Sequence, residues 1–536
     1  MKFFKIAIPL ILAAALLTSC QTDTHSKNVP DVTETPDGSV QIGGVVSIHL
    51  SDDEITVDGK TADYEEKNEV FLSNDIVYYE SGKDFTYGEG TEKDAHTEKE
   101  AQAHTVVNIT SPGTYSVSGK LSCGQIAIDL GEDAKKDPTA VVTLVMNGAD
   151  ITCEVAPAVI FYNVYECSDS DTEKATKAID TSLAGANVII ADDSVNNVVG
   201  SYVARIYKPG TVELSEDGTE VSDAKKLHKY DAAFYSKMSM NVSGGDKGNG
   251  VLNIQAENEG LDSELHLTLN GGNINIWSGN DGINTNEDYV SVTTINGGNL
   301  NIKVTGSTGE GDGIDSNGWL VINGGTVITQ ACSDSADAGI DSDMDIHING
   351  GTVISTGHML DRIEDGGQTY AVFNFAQKHK GTDAVTLKNE KGDTVMSVSA
   401  ENEFSVMILS SPELAEGVYT LWDGETKLGA TSGTNGQRLG GMGGGRGFGP
   451  GANGPRPDGA KMPFGEHPEG KNFSKKERPD GERPESFPEG NRFGDRGGNF
   501  ETAQSELCKY HISIMRTFSY RSSIFFSRSW QVKRNI

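Results

Sequence analysis

Apolar and polar positions alternate along this chain in short bursts, and the bursts are punctuated by glycine and asparagine. Val46-Ser47-Ile48-His49-Leu50 and Thr114-Tyr115-Ser116-Val117 set the pattern: period-two strands bounded by turn residues. The segment from Glu92 to Ala103 is the best short helix candidate in a chain where helical periodicity is scarce. From Asn249 to Gly357 the pattern becomes regular. An Asn-Gly-Gly triplet begins at Asn270, Asn296, Asn323 and Asn349, at intervals of 26, 27 and 26 residues. Each triplet follows an apolar residue (Leu269, Ile295, Ile322, Ile348) and precedes a short strand. Upstream of each lies a second motif: Gly260-Leu261-Asp262-Ser263, Gly282-Ile283-Asn284-Thr285, Gly313-Ile314-Asp315-Ser316 and Gly339-Ile340-Asp341-Ser342. Phe234-Tyr235-Ser236 reads as a degenerate earlier unit.

A fixed period in this range marks a solenoid. Leucine-rich repeats share the period but need a leucine-dense consensus, whereas these units are rich in Gly, Asn, Thr and Ile. β-Branched residues between Gly/Asn turns favour strands. One unit accommodates three short strands and three turns, which returns the chain to its starting point one strand spacing further along. The expectation is an all-β fold, a right-handed parallel β-helix with a small antiparallel β cap, flanked by disordered segments. The Asn-Gly-Gly column reads as structural, since Asn and Gly accept left-handed turns and stacked amides hydrogen-bond along the column. Val141 to Thr152 (VVTLVMNGADIT) repeats the strand-Asn-Gly-strand signature, so the solenoid is placed at 105–360, with an N-terminal β segment at 43–104. Longer loops interrupt it from Thr181 to Lys229. Alternating runs from Tyr370 to Trp422 read as antiparallel strands, a cap over the open edge at 361–430.

The flanks differ. Lys2 and Lys5 precede an apolar run too short to span a bilayer, a signal segment at 1–20. It ends in Leu17-Thr18-Ser19-Cys20, which resembles the bacterial lipobox and implies lipid attachment at Cys20 and a membrane anchor. Residues 21–42 read as a tether and 431–500, rich in Gly and Pro, as a disordered linker. Residues 501–536 resemble neither linker nor repeat. After export Cys123, Cys153, Cys167, Cys332 and Cys508 remain, an odd number in no zinc pattern. Buried free thiols are favoured over a bridge between Cys123 and Cys153.

Net charge changes the picture most. Lys+Arg total 44 against 78 Asp+Glu, a formal charge of -34, which excludes nucleic acid as a partner and points to cations. Stacking makes each repeat position a column. One column is Asp262, Asn284, Asp315 and Asp341; the one before its glycine is Glu259, Asp281 and Asp312, broken by Ala338. Neighbouring units lie about 4.8 Å apart. Carboxylates at that distance repel by roughly 3 kcal/mol at an effective dielectric near 20. A divalent cation, Ca2+, neutralises such a column directly; the competing reading is a solvated acidic edge. Trp277, Tyr289 and Trp319 are candidate sugar-stacking residues, with edge packing as their competing role. His358 and Arg362 follow the last clear unit, and Arg362 is a lone candidate for a lyase base.

The runs DAAFYSK (Asp231 to Lys237), VVTLVMNGADIT and FNFAQK (Phe373 to Lys378), with the GIDS/INGG alternation, resemble a bacterial carbohydrate-binding family. The resemblance implies a polysaccharide-lyase-like parallel β-helix that binds cellulose or pectin-like polysaccharide and carries calcium. The expected protein is a monomeric lipoprotein on the extracellular side of the cell envelope, non-catalytic. A calcium-dependent polysaccharide lyase and a structural adhesin without a sugar ligand stay open as alternatives.

Overall fold

A computed structural model describes residues 44–435, and the architecture there is nearly all β. The signal segment with Cys20, the tether, most of the Gly/Pro-rich segment and the tail with Cys508 lie outside the described residues.

Three parallel ladders carry the fold. The first contains strands that end just before a turn: the first half of Val142–Cys153, then Ala186–Ile190, Met240–Gly244, His266–Leu269, Val292–Ile295, Trp319–Ile322 and Asp345–Ile348. The second contains the strands just after it: the second half of Val142–Cys153, then Val195–Gly200, Val251–Ala256, Asn273–Ser278, Asn299–Val304, Thr326–Gln330 and Thr352–Gly357. The third runs through Thr105–Ile109, Gly124–Asp129, Val159–Asn163, Ala232–Ser236, Glu259–Ser263, Ile283–Thr285 and Ile314–Ser316. Antiparallel strands at both ends make the sheets mixed. Val70–Ser73 pairs with Thr105–Ile109, and Phe404–Ser410 lies against both Thr352–Gly357 and Tyr370–His379. A separate four-stranded antiparallel sheet follows (Thr382–Lys388, Thr394–Ala400, Gly417–Asp423, Thr426–Gly433).

The register explains the periodicity. Leu252, Ile274, Leu300, Val327 and Val353 are direct partners in consecutive strands, and all are buried. So are Leu269, Ile295, Ile322 and Ile348. Each file is a line of aliphatic contacts that no single unit could shield alone. At the turn, the second glycine of each triplet takes the left-handed backbone: Gly272, Gly298, Gly325 and Gly351, with φ from 81° to 92°. Crowding adds to that demand, because a Cβ on Gly325 would sit 2.6 Å from the Gly298 carbonyl oxygen of the preceding unit. The asparagines form one amide file. Asn296 Nδ2 donates to Asn270 Oδ1 at 2.9 Å, Asn323 to Asn296 at 2.9 Å, and Asn349 to Asn323 at 2.8 Å.

Two expectations need correction. The helix is confined to Glu98–Gln102, closed at its start by a capping box between Thr97 and Glu100; Asp94 instead ties off a turn by accepting from the Thr91 amide. The interruption does not begin at Thr181. Ala186–Ile190 and Val195–Gly200 stay in the ladders through a turn at Asp193, whose φ of 59° does the work of the missing glycine. The true insertions are the segment 165–185 and a pair of antiparallel hairpins, Val203–Tyr207 with Lys226–Tyr230 and Glu213–Leu214 with Val221–Asp223. The expectation of thiols rather than a Cys123–Cys153 bridge holds: Leu121 and Ile151 stack, and the buried Cys153 is a free thiol.

Replacing Gly325 with alanine is expected to destabilise the fold by about 1–3 kcal/mol, through both the left-handed backbone and the 2.6 Å approach. Asn323→Ala is expected to cost about 1 kcal/mol or less, because its amide is solvent-exposed. Paired urea denaturation curves check the order, which a larger loss from the asparagine variant would reverse.

Candidate functional site: a buried carboxylate cluster on the third ladder

Register places one predicted column as drawn. Asp262 is the direct partner of Asn284, and Asn284 of Asp315. Asp341 follows, its amide donating to the Ile314 carbonyl at 2.7 Å. On the other side Asp262 pairs with Tyr235, which ends the acidic run. What the repeat pattern does not reveal is burial. Asp262 is fully buried, and Glu259 is 5 % exposed.

The structure adds a third acid. Asp231, just before the strand Ala232–Ser236, joins Glu259 and Asp262, with one carboxylate oxygen from each lying within 4.8 Å of the others. The degenerate unit at Phe234-Tyr235-Ser236 held the signal: Ala232 pairs with Glu259, so Asp231 borders it. Partners are incomplete for so buried a group. Asp262 accepts from Asn286 Nδ2 at 2.9 and 3.0 Å, and Asp231 faces the Lys229 ammonium at 2.5 Å. Glu259 Oε1 has a weak contact from Asn284 Nδ2 at 3.4 Å. Glu259 Oε2 and Asn284 Oδ1 are buried without a partner. Burial lifts all three carboxyls above their ordinary range; repulsion from Asp231 adds to it at Glu259 and Asp262, while at Asp231 the Lys229 ammonium is the next strongest influence and pulls it back. Every ligating atom here is oxygen, the donor set of a hard cation.

The other predicted acids separate from this cluster. Asp281 accepts from the Asp312 amide at 2.6 Å, and Asp312 from the Ala338 amide at 2.5 Å. These two carboxylates bind the backbone of the next unit, a sufficient reason for that column. Burial raises Asp281 to about 7 and Asp312 to about 9. Asp315 is raised to about 6 and Asp341 to about 7 by burial, and then by Asp343 and Asp361 respectively.

The aromatic candidates do not form one platform. Trp277, half-buried, lies on the second ladder between Gln255 and Lys303. Trp319, also half-buried, lies on the first between Val292 and Asp345. Tyr289 is 56 % exposed in a turn at φ 62°. Arg362 pairs with Asp345 at 3.4 Å and with Glu364; His358 bonds Ser405 and the Ser333 carbonyl, both at 3.1 Å.

A pH dependence follows. Carboxyls raised in the fold stabilise it when protonated, and that stability is lost as pH rises through their folded values of about 6 to 9. The buried histidines act oppositely. His104 is lowered and His266 is lowered to about 4, so they destabilise only below the ordinary histidine value of 6.5. Between pH 6.5 and 9 the acids act alone. In chelator the melting temperature is expected to fall across that window, and calorimetry at constant ionic strength checks it. A flat profile would mean that the fold neutralises its acids by other means.

A family model for carbohydrate-binding domain-containing proteins matches residues 103–172 and 170–432. Among solved structures, the polysaccharide lyase-like protein of C. thermocellum, determined as a gadolinium derivative, is 19% identical; the alignment covers 60% of this chain and 90% of that one, with a TM-score of 0.32. No curated protein matches the chain. The family match takes in the three ladders from Thr105 onward and the antiparallel strand Phe404–Ser410 that pairs at their far end, over half of the sequence, and the chain therefore belongs to the carbohydrate-binding domain-containing protein family.

Proposed function

We propose that the three ladders are the faces of a right-handed parallel β-helix, and that it binds extracellular polysaccharide, cellulose or pectin-like, with the help of calcium and without cleaving it. The family supports the carbohydrate. The observation that carries the metal is the Asp231–Glu259–Asp262 cluster with its orphaned Glu259 Oε2 and Asn284 Oδ1. Three carboxylates and one ammonium leave a formal charge of -2 in a buried place, where unbalanced charge is costly. One Ca2+ would restore neutrality there and give the orphaned oxygens a partner. Asp231, Glu259, Asp262 and Asn284 would hold it, and by tying together the strand ends of three consecutive units it would keep the ladder in the shape that binds.

The non-catalytic reading is supported by the commitments of the candidate bases. Arg362 is ion-paired and His358 bonded at both ring nitrogens, apart from the carboxylate cluster. The lipobox-like Leu17-Thr18-Ser19-Cys20 supports display on the outer side of the envelope through a lipid anchor.

Pull-down on insoluble cellulose and on polygalacturonate, each with calcium and with chelator, tests the reading. Retention with calcium on at least one matrix, falling at least tenfold in chelator and in the double variant Glu259→Gln/Asp262→Asn, is the expected result. Binding to neither matrix would remove the proposal. Release of ultraviolet-absorbing unsaturated uronate would turn it into a lyase.

A further inference from the structure

The inserted segment 165–185 forms a strap across the outward side of the first ladder. Its ends meet where the Gly185 amide donates to the Tyr165 carbonyl at 2.8 Å. Along its course it is pinned to successive strands. Glu166 accepts from the Ser239 amide and hydroxyl, both at 2.7 Å. Thr181 Oγ1 bonds Asn241 and Thr268, both at 2.7 Å, and Lys177 Nζ meets the His347 ring at 3.3 Å. Asn241 and Thr268 are register partners that alternate with core residues, so the strap lies on the ladder's outer surface.

Between strap and ladder is a cavity of about 410 Å³, within the range of small-molecule sites. Its floor contains His266, only 2 % exposed. The imidazole has one partner: the Val292 amide donates to Nδ1 at 3.1 Å. A ring nitrogen that accepts carries no hydrogen, so the proton of the neutral ring sits on Nε2. Nε2 is buried and has no partner. The residue at the cavity floor therefore carries one desolvated donor without an acceptor.

The remaining wall decides which acceptor. Glu166 and Asp169 bring carboxylates, and the lining Lys174 is already held by Asp169 at 3.2 Å and Asp171 at 2.8 Å. An anionic ligand would meet net negative charge. Ile179 and Val290 add apolar surface. A hydroxyl-rich uncharged ligand fits all three features: its oxygens accept from His266 Nε2–H, its hydroxyls donate to the carboxylates, and its C–H faces cover the aliphatic side chains. The cavity is much larger than the roughly 30 Å³ share of a single water. A metal fits less well, because among the described residues the converging trio of ligating atoms is the acidic one on the third ladder, not here.

We infer that this strap-covered cavity is a second carbohydrate site, one that takes the end of a neutral sugar chain with His266 Nε2–H as its anchoring donor. It is separate from the carboxylate cluster and does not rest on calcium. The full chain, titrated calorimetrically with cellotriose, xylotriose, mannotriose and trigalacturonate in excess chelator, tests it. At least one neutral trisaccharide is expected to bind and trigalacturonate not to. His266→Asn keeps an acceptor for the Val292 amide while deleting the Nε2 donor, and is expected to weaken binding at least tenfold. Thr176→Trp puts a bulky side chain into the cavity from an exposed strap position outside the ladder, and is expected to do the same with an unchanged melting temperature. No binding by any neutral trisaccharide, preference for trigalacturonate, or full affinity in a folded Thr176→Trp variant would overturn the assignment. Failure of the calcium reading would show instead as chelator-insensitive pull-down on polygalacturonate, with these titrations unaffected.

Discussion

Everything in this molecule depends on strands of successive units pairing in parallel and in register. Hydrogen bonds between units fix which residue stands above which, and the pairing of Asp262 with Asn284 and of Asn284 with Asp315 is set by the same ladder that pairs Leu261 with Ile283 and Ile283 with Ile314. The aliphatic files supply the free energy, since burial of apolar surface contributes about 25 cal/mol per Å². The polar files inherit their geometry. A carboxylate in such a stack cannot move away from its neighbour without breaking the ladder that buries the leucines and isoleucines, so its charge must be dealt with where it stands.

The fold deals with that charge in three ways. Asp281 and Asp312 accept from backbone amides of the next unit and also hold protons strongly, raised to about 7 and about 9. Asp315 and Asp341 hold on to protons more strongly than exposed carboxyls do. Asp231, Glu259 and Asp262 converge, with one lysine to offset them. Only the last arrangement leaves a carboxylate oxygen buried and unsatisfied, and that separates a candidate binding site from structural acid in the same repeat.

Strand periodicity, the Asn-Gly-Gly interval and the acidic columns were legible in the sequence because a repeat turns linear spacing into spatial adjacency. The amide file at Asn270, Asn296, Asn323 and Asn349 is a direct case. Features outside the repeat were hidden. Asp231 sits before a unit that lacks the glycine signature, and its place beside Glu259 emerges only from register. The donor state of His266 depends on Val292, 26 residues away, and on a strap whose sequence carries no period. The placement of the aromatic residues was hidden for a related reason. Trp277 and Trp319 share a repeat but not a phase within it, so they fall on different ladders.

The crowded glycine turn has an evolutionary corollary. With the Gly325 backbone packed against the Gly298 carbonyl, and each asparagine amide handing its hydrogen bond to the one before, neighbouring units tolerate no fractional offset. An insertion of one residue within a strand would turn its aliphatic file toward water. Duplication or loss of one whole unit leaves the aliphatic files intact. Length can therefore change by quantised steps of one unit, or by elaborating segments outside the ladders such as 165–185.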